Sequence, residues 1–285
     1  GEVISADSAQ IYRGLEIGSA KITRAEQQGV PHHLMDMVNP TDSFSVADFQ
    51  EQAEAAARDI WRRGRLPIVV GGTGLWIRAL IRHFRFESQD QQEVLALRAQ
   101  IDQAGEKWGW EAVRRVVRLI DPVAWARIAS QDHRRLSRVL EVFWLAQSRL
   151  TREEEELSPF RVDYWVVSRP MTELRQRIAA RYQLMLSAGF DQEVLNLLAS
   201  GVDPSSQSLS AIGYREMVQW ARGWISTAER DRLIVLHSSQ YAKRQMTWFR
   251  GEPLAKWIDL SAWGTERACT VLTAAGEKLK SAGAD

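Results

Sequence analysis

Cysteine is almost missing. Cys269 is the only one among 285 residues, which excludes an internal disulfide and any cysteine-built zinc site and agrees with a reducing compartment. Long apolar runs are missing too. No window approaches the roughly 20 uninterrupted apolar residues of a spanning helix, and no basic-then-apolar signal segment opens the chain, so a cytoplasmic setting without membrane contact is expected. Nor does either sign of charge dominate: 37 basic side chains face 36 acidic ones, for a net charge of +1. A uniformly basic nucleic-acid coat is thereby excluded, and only local clustering could attract a polyanion. No internal repeat or low-complexity tract is present. What remains, at 45% apolar residues, suffices for a full core in one large domain or two modest ones.

The chain begins with Gly1 and runs directly into Glu2-Val3-Ile4-Ser5-Ala6, a buried-strand pattern, so it is expected to start within a domain. A polar, turn-rich passage to Thr41 precedes a helix over 43–63. Ser45 suits its N-cap with Asp48 as a short capping-box acid, Phe44 and Phe49 occupy staple positions, and Arg62, Arg63 and Gly64 end it. Residues 66–70 form a β-branched run suited to a strand covered on both faces, followed by Gly71-Gly72-Thr73-Gly74 and a helix to about Arg82. Strand, helix, strand, glycine turn and helix are the grammar of a parallel α/β fold. From His83 to Ile128 strand signals vanish, and 91–107, 111–120 and 122–128 read as helices of an all-helical insertion. A helix over 132–146 follows, then a strand at 162–167, helices over 170–187 and 229–250, and a short strand at 257–260. The core segments are therefore 1–82 and 129–285. Of the twelve tryptophans, Trp61, Trp144 and Trp220 sit at core spacing, which favours packing over base stacking.

Chemistry gathers at few places. In parallel sheets ligands collect at the carboxyl ends of strands, where Asp7 follows the first strand and Thr73 lies in the glycine turn. Arg177 and Arg181, four residues apart, share a helix face and read either as a diphosphate clamp or as surface arginines beside an apolar stripe. Gln240, Lys243, Arg244 and Thr247 form a polar band next to Tyr241 and Trp248, open to RNA contact or to solvent. Between Glu111 and Arg152 nine arginines face four acids, and the acidic run 153–156 then restores the balance. Such a cluster is either a solvated helix face or an anion-binding surface. His32 and His33 have no spaced ligand partner and point in different directions, which argues against a metal site.

Together these segments resemble the tRNA dimethylallyltransferase family, also called tRNA isopentenyltransferase, in its bacterial form. The resemblance rests on DSAQIYRGLEIGSAK (7–21), PHHLMD (31–36), FSVADF (44–49), LPIVVGGTGLWI (66–77), DPVAWARI (121–128), RRLSRVLEVF (134–143), RIAARYQLMLSAGF (177–190), AIGYREM (211–217) and KRQMTWFR (243–250), in order along nearly the whole chain. It implies a P-loop NTPase-like α/β core and a helical insertion, 83–128, that contacts the tRNA anticodon stem-loop. It further implies prenyl transfer from dimethylallyl diphosphate to the adenine 3′ of the anticodon, by a chain taken as a monomer. Asp7 would be the general base, Thr73 would contact the reacting region, and Arg181, helped by Arg177, would stabilise the leaving diphosphate with Mg²⁺ as its counter-ion. Gly71, Gly72, Lys243 and Arg244 would bind the donor. Asp7, Ser8, Ala9 and Gln10, then Arg134, Arg135, Leu136, Ser137 and Arg138, then Gly213, Tyr214 and Arg215, would touch tRNA.

The pattern departs from the family at its start, which in the family precedes Gly1 by roughly thirty residues and carries a strand and a GxxxxGK[ST] loop. Without that segment the chain alone is expected to be poorly stable and nearly inactive. The linker 83–92 also departs from the family's proline-containing, acidic form. Two rival readings are an adenylate isopentenyltransferase acting on free nucleotide and a tRNA-binding protein without catalysis.

Overall fold

Ser45 starts the first long helix as its sequence requires. Its hydroxyl accepts the Asp48 N–H at 3.2 Å and the Asp48 carboxylate accepts the Ser45 N–H at 2.7 Å, so two otherwise orphaned donors are satisfied reciprocally. Phe44 and Phe49 flank that cap and both lie against Trp76, at ring-centroid separations of 5.6 and 4.6 Å. At the other end Gly64 takes φ +69°, the left-handed conformation that closes a helix. The helix buries Phe49, Ala53, Ala57 and Ile60; Trp61, one residue further round, turns outward and is 41% exposed.

The computed structural model describes residues 1–84, 91–146 and 160–281, and it divides into one unit of residues 1–81 with 158–285 and another of 82–157. The elements, in chain order, are β1 (Glu2–Ser5), β2 (His32–His33), α1 (Val46–Arg62), β3 (Pro67–Val70), α2 (Gly74–Arg82), α3 (Gln91–Trp108), α4 (Trp110–Ile120), α5 (Pro122–Arg127), α6 (His133–Ala146), β4 (Tyr164–Ser168), α7 (Met171–Ser187), α8 (Phe190–Ala199), a 3₁₀ turn at Ser208–Ser210, α9 (Tyr214–Ala221), α10 (Thr227–Arg250), β5 (Ala255–Asp259), α11 (Leu260–Trp263) and α12 (Thr265–Ser281). No helix among the described residues is long and apolar enough to cross a membrane.

In the first unit β1 lies between β2 and β3, and β4 pairs with β5, every pairing being parallel. The register Ser5↔Val70 brings the carboxyl ends of β1 and β3 level, so the residues after each strand emerge side by side. β3 corrects the expectation of a strand covered on both faces: Ile68 is 42% and Val70 53% exposed. Among the described residues β3 is paired only to β1, and burial on both sides requires neighbours on both sides. Ile4, Phe49, Ile60, Trp76, Val166, Phe190 and Met217 belong to the single core that joins sheets and helices in this unit.

The second unit closes α3–α6 around Ile101, Val113, Val117, Leu136, Val139 and Leu140. This corrects the expected insertion of 83–128. Because α6 contributes Leu136, Val139 and Leu140 to that core, it belongs with the helical unit rather than with the α/β core, and the unit extends to 157. Most of the divergent linker, together with Arg149, Arg152 and the acidic run 153–156, lies outside the described residues.

Candidate active site

The level strand ends create a meeting point. The Ala6 N–H donates to Val70 O at 2.7 Å and the Thr73 N–H donates to Ala6 O at 3.2 Å, so the two loops are stitched through their backbones. Side chains then join them: the Ser8 N–H donates to Thr73 Oγ1 at 3.2 Å. Asp7 precedes that contact and folds its own loop, with Oδ1 accepting the Ala9 N–H at 2.9 Å and the Gln10 N–H at 3.4 Å. Such an Asx-type turn is what an aspartate after a strand can build locally. Gly71 is required for the approach, since a Cβ there would stand 2.2 Å from Ala6 O, a backbone atom that cannot rotate away.

α10 covers the glycine turn from the other side. Tyr241, Gln245 and Trp248 fall at i, i+4 and i+7 and so share one helix face. Gln245 Nε2 donates to Gly72 O at 3.0 Å and the Tyr241 hydroxyl donates to the same oxygen at 3.3 Å. A Cβ on Gly72 would lie 2.1 Å from Gln245 Nε2, and one on Gly74 would lie 2.3 Å from Trp248 Cδ1. The Arg78 guanidinium, 4.4 Å from the Trp248 ring centroid, holds the indole in place. Burial first, and the nearby Asp7 carboxylate second, push the Tyr241 phenol above its ordinary pKa, which keeps it a proton donor. The sequence-level band Gln240, Lys243, Arg244 and Thr247 is therefore not the face that meets the turn. Lys243 and Arg244 are exposed, with Arg244 5.7 Å from the Tyr241 ring centroid. Gln245 escaped sequence reading, although its spacing from Tyr241 and Trp248 was available as a signal.

Arg177 and Arg181 stand exposed on α7, and no hydrogen bond among the described residues joins them to Asp7 or Thr73. Arg177 instead helps hold the Glu173 carboxyl below its usual range, after Ser261 and Arg169. Other expected contact residues divide by exposure. Arg134, Arg135 and Arg138 are exposed on α6, Arg135 pairing with Asp132 at 3.4 Å and Arg138 with the buried Glu141 at 3.2 Å. Leu136 and Ser137 are corrections: both are buried, because α6 turns that face into the helical core. Gly213 and Tyr214 are corrections as well. The Gly213 N–H donates to Glu216 Oε2 at 2.7 Å, and the fully buried Tyr214 accepts the Ser19 N–H at 3.1 Å while donating to Glu193 Oε1 at 2.7 Å. Of that triplet Arg215 alone is exposed, its guanidinium on Glu216 at 2.7 Å. Gln10 is half-buried, its amide accepting from Ser5 Oγ at 3.1 Å and donating to Ser19 O at 3.3 Å.

No three His, Cys, Asp or Glu among the described residues converge on a metal-sized site. His33 pairs with Glu2 at 2.7 Å and His32 with Val30 O at 2.8 Å. A cavity of about 640 Å³ between Gly14, Ile17 and α8 lies away from Asp7 and Thr73; its lining holds no group that could drive the expected chemistry beyond Glu193, which is committed to the N–H groups of 16–18.

Known proteins resemble this chain in sequence and fold. A model of the IPP transferase family matches residues 10–252. A tRNA dimethylallyltransferase of Thermomicrobium roseum is 40% identical over 265 residues, covering 93% of this chain and 80% of the relative. One from Exiguobacterium sp. is 40% identical over 262 residues, covering 91% and 82%. The crystal structure of the full-length tRNA isopentenylpyrophosphate transferase of Bacillus halodurans superposes with a TM-score of 0.72 at 36% identity, covering 99% of this chain and 89% of that one. A eukaryotic dimethylallyltransferase shares the fold, with a TM-score of 0.75 at 24% identity over 95% and 71% of the two chains. These matches agree with the P-loop NTPase-like α/β core expected from sequence and do not bear out the expected weak activity. The chain belongs to the IPP transferase family.

Proposed function

We propose that this chain transfers a dimethylallyl group from dimethylallyl diphosphate to the exocyclic amine of the adenine 3′ of the tRNA anticodon, releasing diphosphate. The observation that carries this reading is the junction of the Asp7 loop with Thr73 at the level ends of two parallel strands. Adenine's amine is a poor nucleophile because its lone pair is delocalised into the ring. A carboxylate placed to accept its proton lowers the barrier. As the amine nitrogen bonds to the allylic carbon, the carbon–oxygen bond to diphosphate breaks and its electron pair leaves with the diphosphate. The proton passes to Asp7. Thr73 orients the reacting groups, and Arg181 and Arg177, with Lys243 and Arg244 from the exposed surface of α10, supply positive charge to the departing anion. Mg²⁺ would be held through the diphosphate's own oxygens. No three His, Cys, Asp or Glu among the described residues converge to hold it, and its contribution would be counter-charge to the leaving group.

The loop of Asp7 to Gln10, with Arg134, Arg135, Arg138 and Arg215, would contact a tRNA whose target base has left its stack. The test is direct: incubation with tRNA and dimethylallyl diphosphate, digestion of the RNA, and mass detection of prenylated adenosine. Absence of the product under saturating donor overturns the reading. Prenylation of AMP in preference to tRNA would replace it with transfer to free nucleotide.

A further inference from the structure

We infer that Tyr241, acting with Gln245, is a positioning residue that fixes the Thr73 hydroxyl against the Asp7 loop. The inference rests on the function proposed above and adds a part that the junction of strand ends does not supply. Gly71, Gly72 and Gly74 remove three side chains from this turn, which leaves it few contacts of its own to resist displacement. Rigidity must come from outside. Ala6 O holds the Thr73 N–H at 3.2 Å, and Gly72 O receives both the Gln245 amide at 3.0 Å and the Tyr241 hydroxyl at 3.3 Å. Thr73 is the next residue, and its Oγ1 accepts the Ser8 N–H one residue beyond Asp7. A chain of contacts therefore runs from α10 through Gly72 and Thr73 to Ser8 and Asp7.

The two α10 residues are unequal. Gln245 sits so close to Gly72 that it leaves no room for a Cβ, which makes it chiefly a packing partner. Tyr241 makes the longer bond, and the residue as a whole is 37% exposed, yet its hydroxyl is crowded by Gly72 and the groups of Gln245 and Thr73. Its phenol stays protonated beside the Asp7 carboxylate, because both burial and that negative charge oppose ionisation. A neutral donor here can hold the turn without adding a second negative charge where diphosphate must bind. A 1 Å misplacement of a reacting group can cost about a hundredfold in rate, so a small slackening of this chain is visible in turnover.

The test removes only the hydroxyl. Tyr241→Phe keeps the ring in its place beside Arg244 and Gly72 and should lower kcat roughly tenfold to a hundredfold while leaving KM for tRNA and for dimethylallyl diphosphate unchanged. In a Thr73→Ala background the same substitution should add nothing, because its effect runs through Thr73. Full additivity in that background, or turnover equal to the parent chain, overturns the inference. A second measurement does not depend on catalysis. Hydrogen exchange at the Thr73 amide should quicken in Tyr241→Phe and further in Tyr241→Phe/Gln245→Met, with the melting temperature held. Unchanged exchange overturns the positioning role even if activity falls. A parent chain that forms no prenylated adenosine overturns the proposed function instead, while the exchange comparison still decides whether Tyr241 holds the turn.

Discussion

The two oxygens of Asp7 are divided between structure and chemistry. Oδ1 holds the turn by accepting the Ala9 and Gln10 N–H groups, and Oδ2 is the oxygen left to receive a proton. Asp7→Asn separates the two duties, since an amide oxygen still accepts from the backbone but cannot act as a base. Turnover should fall by roughly two orders of magnitude or more, with tRNA affinity and melting temperature unaltered. Steady-state kinetics beside a binding titration read this out, and undiminished turnover removes Asp7 from the reaction. Gly71 is sensitive for a different reason. The Cβ of Gly71→Ala would meet Ala6 O at 2.2 Å, and its three nearest atoms all belong to the Ala6 backbone, which leaves nothing flexible to yield. Overpacking of this kind costs about 1–3 kcal/mol, and the displaced turn carries Thr73 with it. Denaturant unfolding should therefore show the loss together with reduced turnover; a stable, fully active Gly71→Ala would mean that the strand ends are not held as described.

At the level of elements, what could be read from sequence was local. Ser45, Asp48 and Gly64 delimit α1 through contacts within a few residues of one another, and the glycine turn after β3 announces itself by composition. Less local features stayed hidden. β2 is two residues long and exists through its pairing with β1, and α8 and α9 begin at Gly189 and Gly213, which read more readily as endings. The resemblance implies an RNA contact for Tyr214, and nothing local in the sequence reveals its burial, since its partner Glu193 is 21 residues away on α8 and no spacing rule connects them. β1 shows a long-range consequence that can be measured. Buried Glu2 pairs with Arg63 from the end of α1, with Arg65 at 3.2 Å and with His33 of β2 at 2.7 Å. Its hydrogen bonds to Arg63 and then His33 lower the carboxyl from 4.5 to about 2. A depressed folded pKa contributes stability that is fully present above the unfolded value of 4.5 and is lost as pH falls toward 2. Melting temperatures recorded across that window should drop in the parent chain and drop less steeply in Glu2→Gln. Equal slopes would show that the Glu2 cluster does not couple protonation to folding.

For the whole molecule, a net charge of +1 cannot attract a polyanion by itself, so affinity for tRNA must come from cationic side chains left available on the surface, the arginines of α6 among them. On α6 availability differs from residue to residue. Arg138 is held by Glu141, a buried carboxylate that Arg98 also grips at 2.8 Å, and Arg135 leans on Asp132. Removing Arg138 would disturb the helical unit as well as any RNA contact, which makes it an ambiguous probe. Arg134 is exposed and outside those pairs. Each phosphate contact releases condensed counterions, so its loss should reduce the slope of log affinity against log salt by about 0.7 to 0.9. Arg134→Ala should weaken tRNA binding most at low salt and shallow the slope by one such step, while unfolding of the chain stays as in the parent. Titrations at several potassium chloride concentrations give the slope directly. If it does not change, Arg134 belongs to the solvated face of α6, and the charge that draws tRNA must be sought elsewhere on the chain.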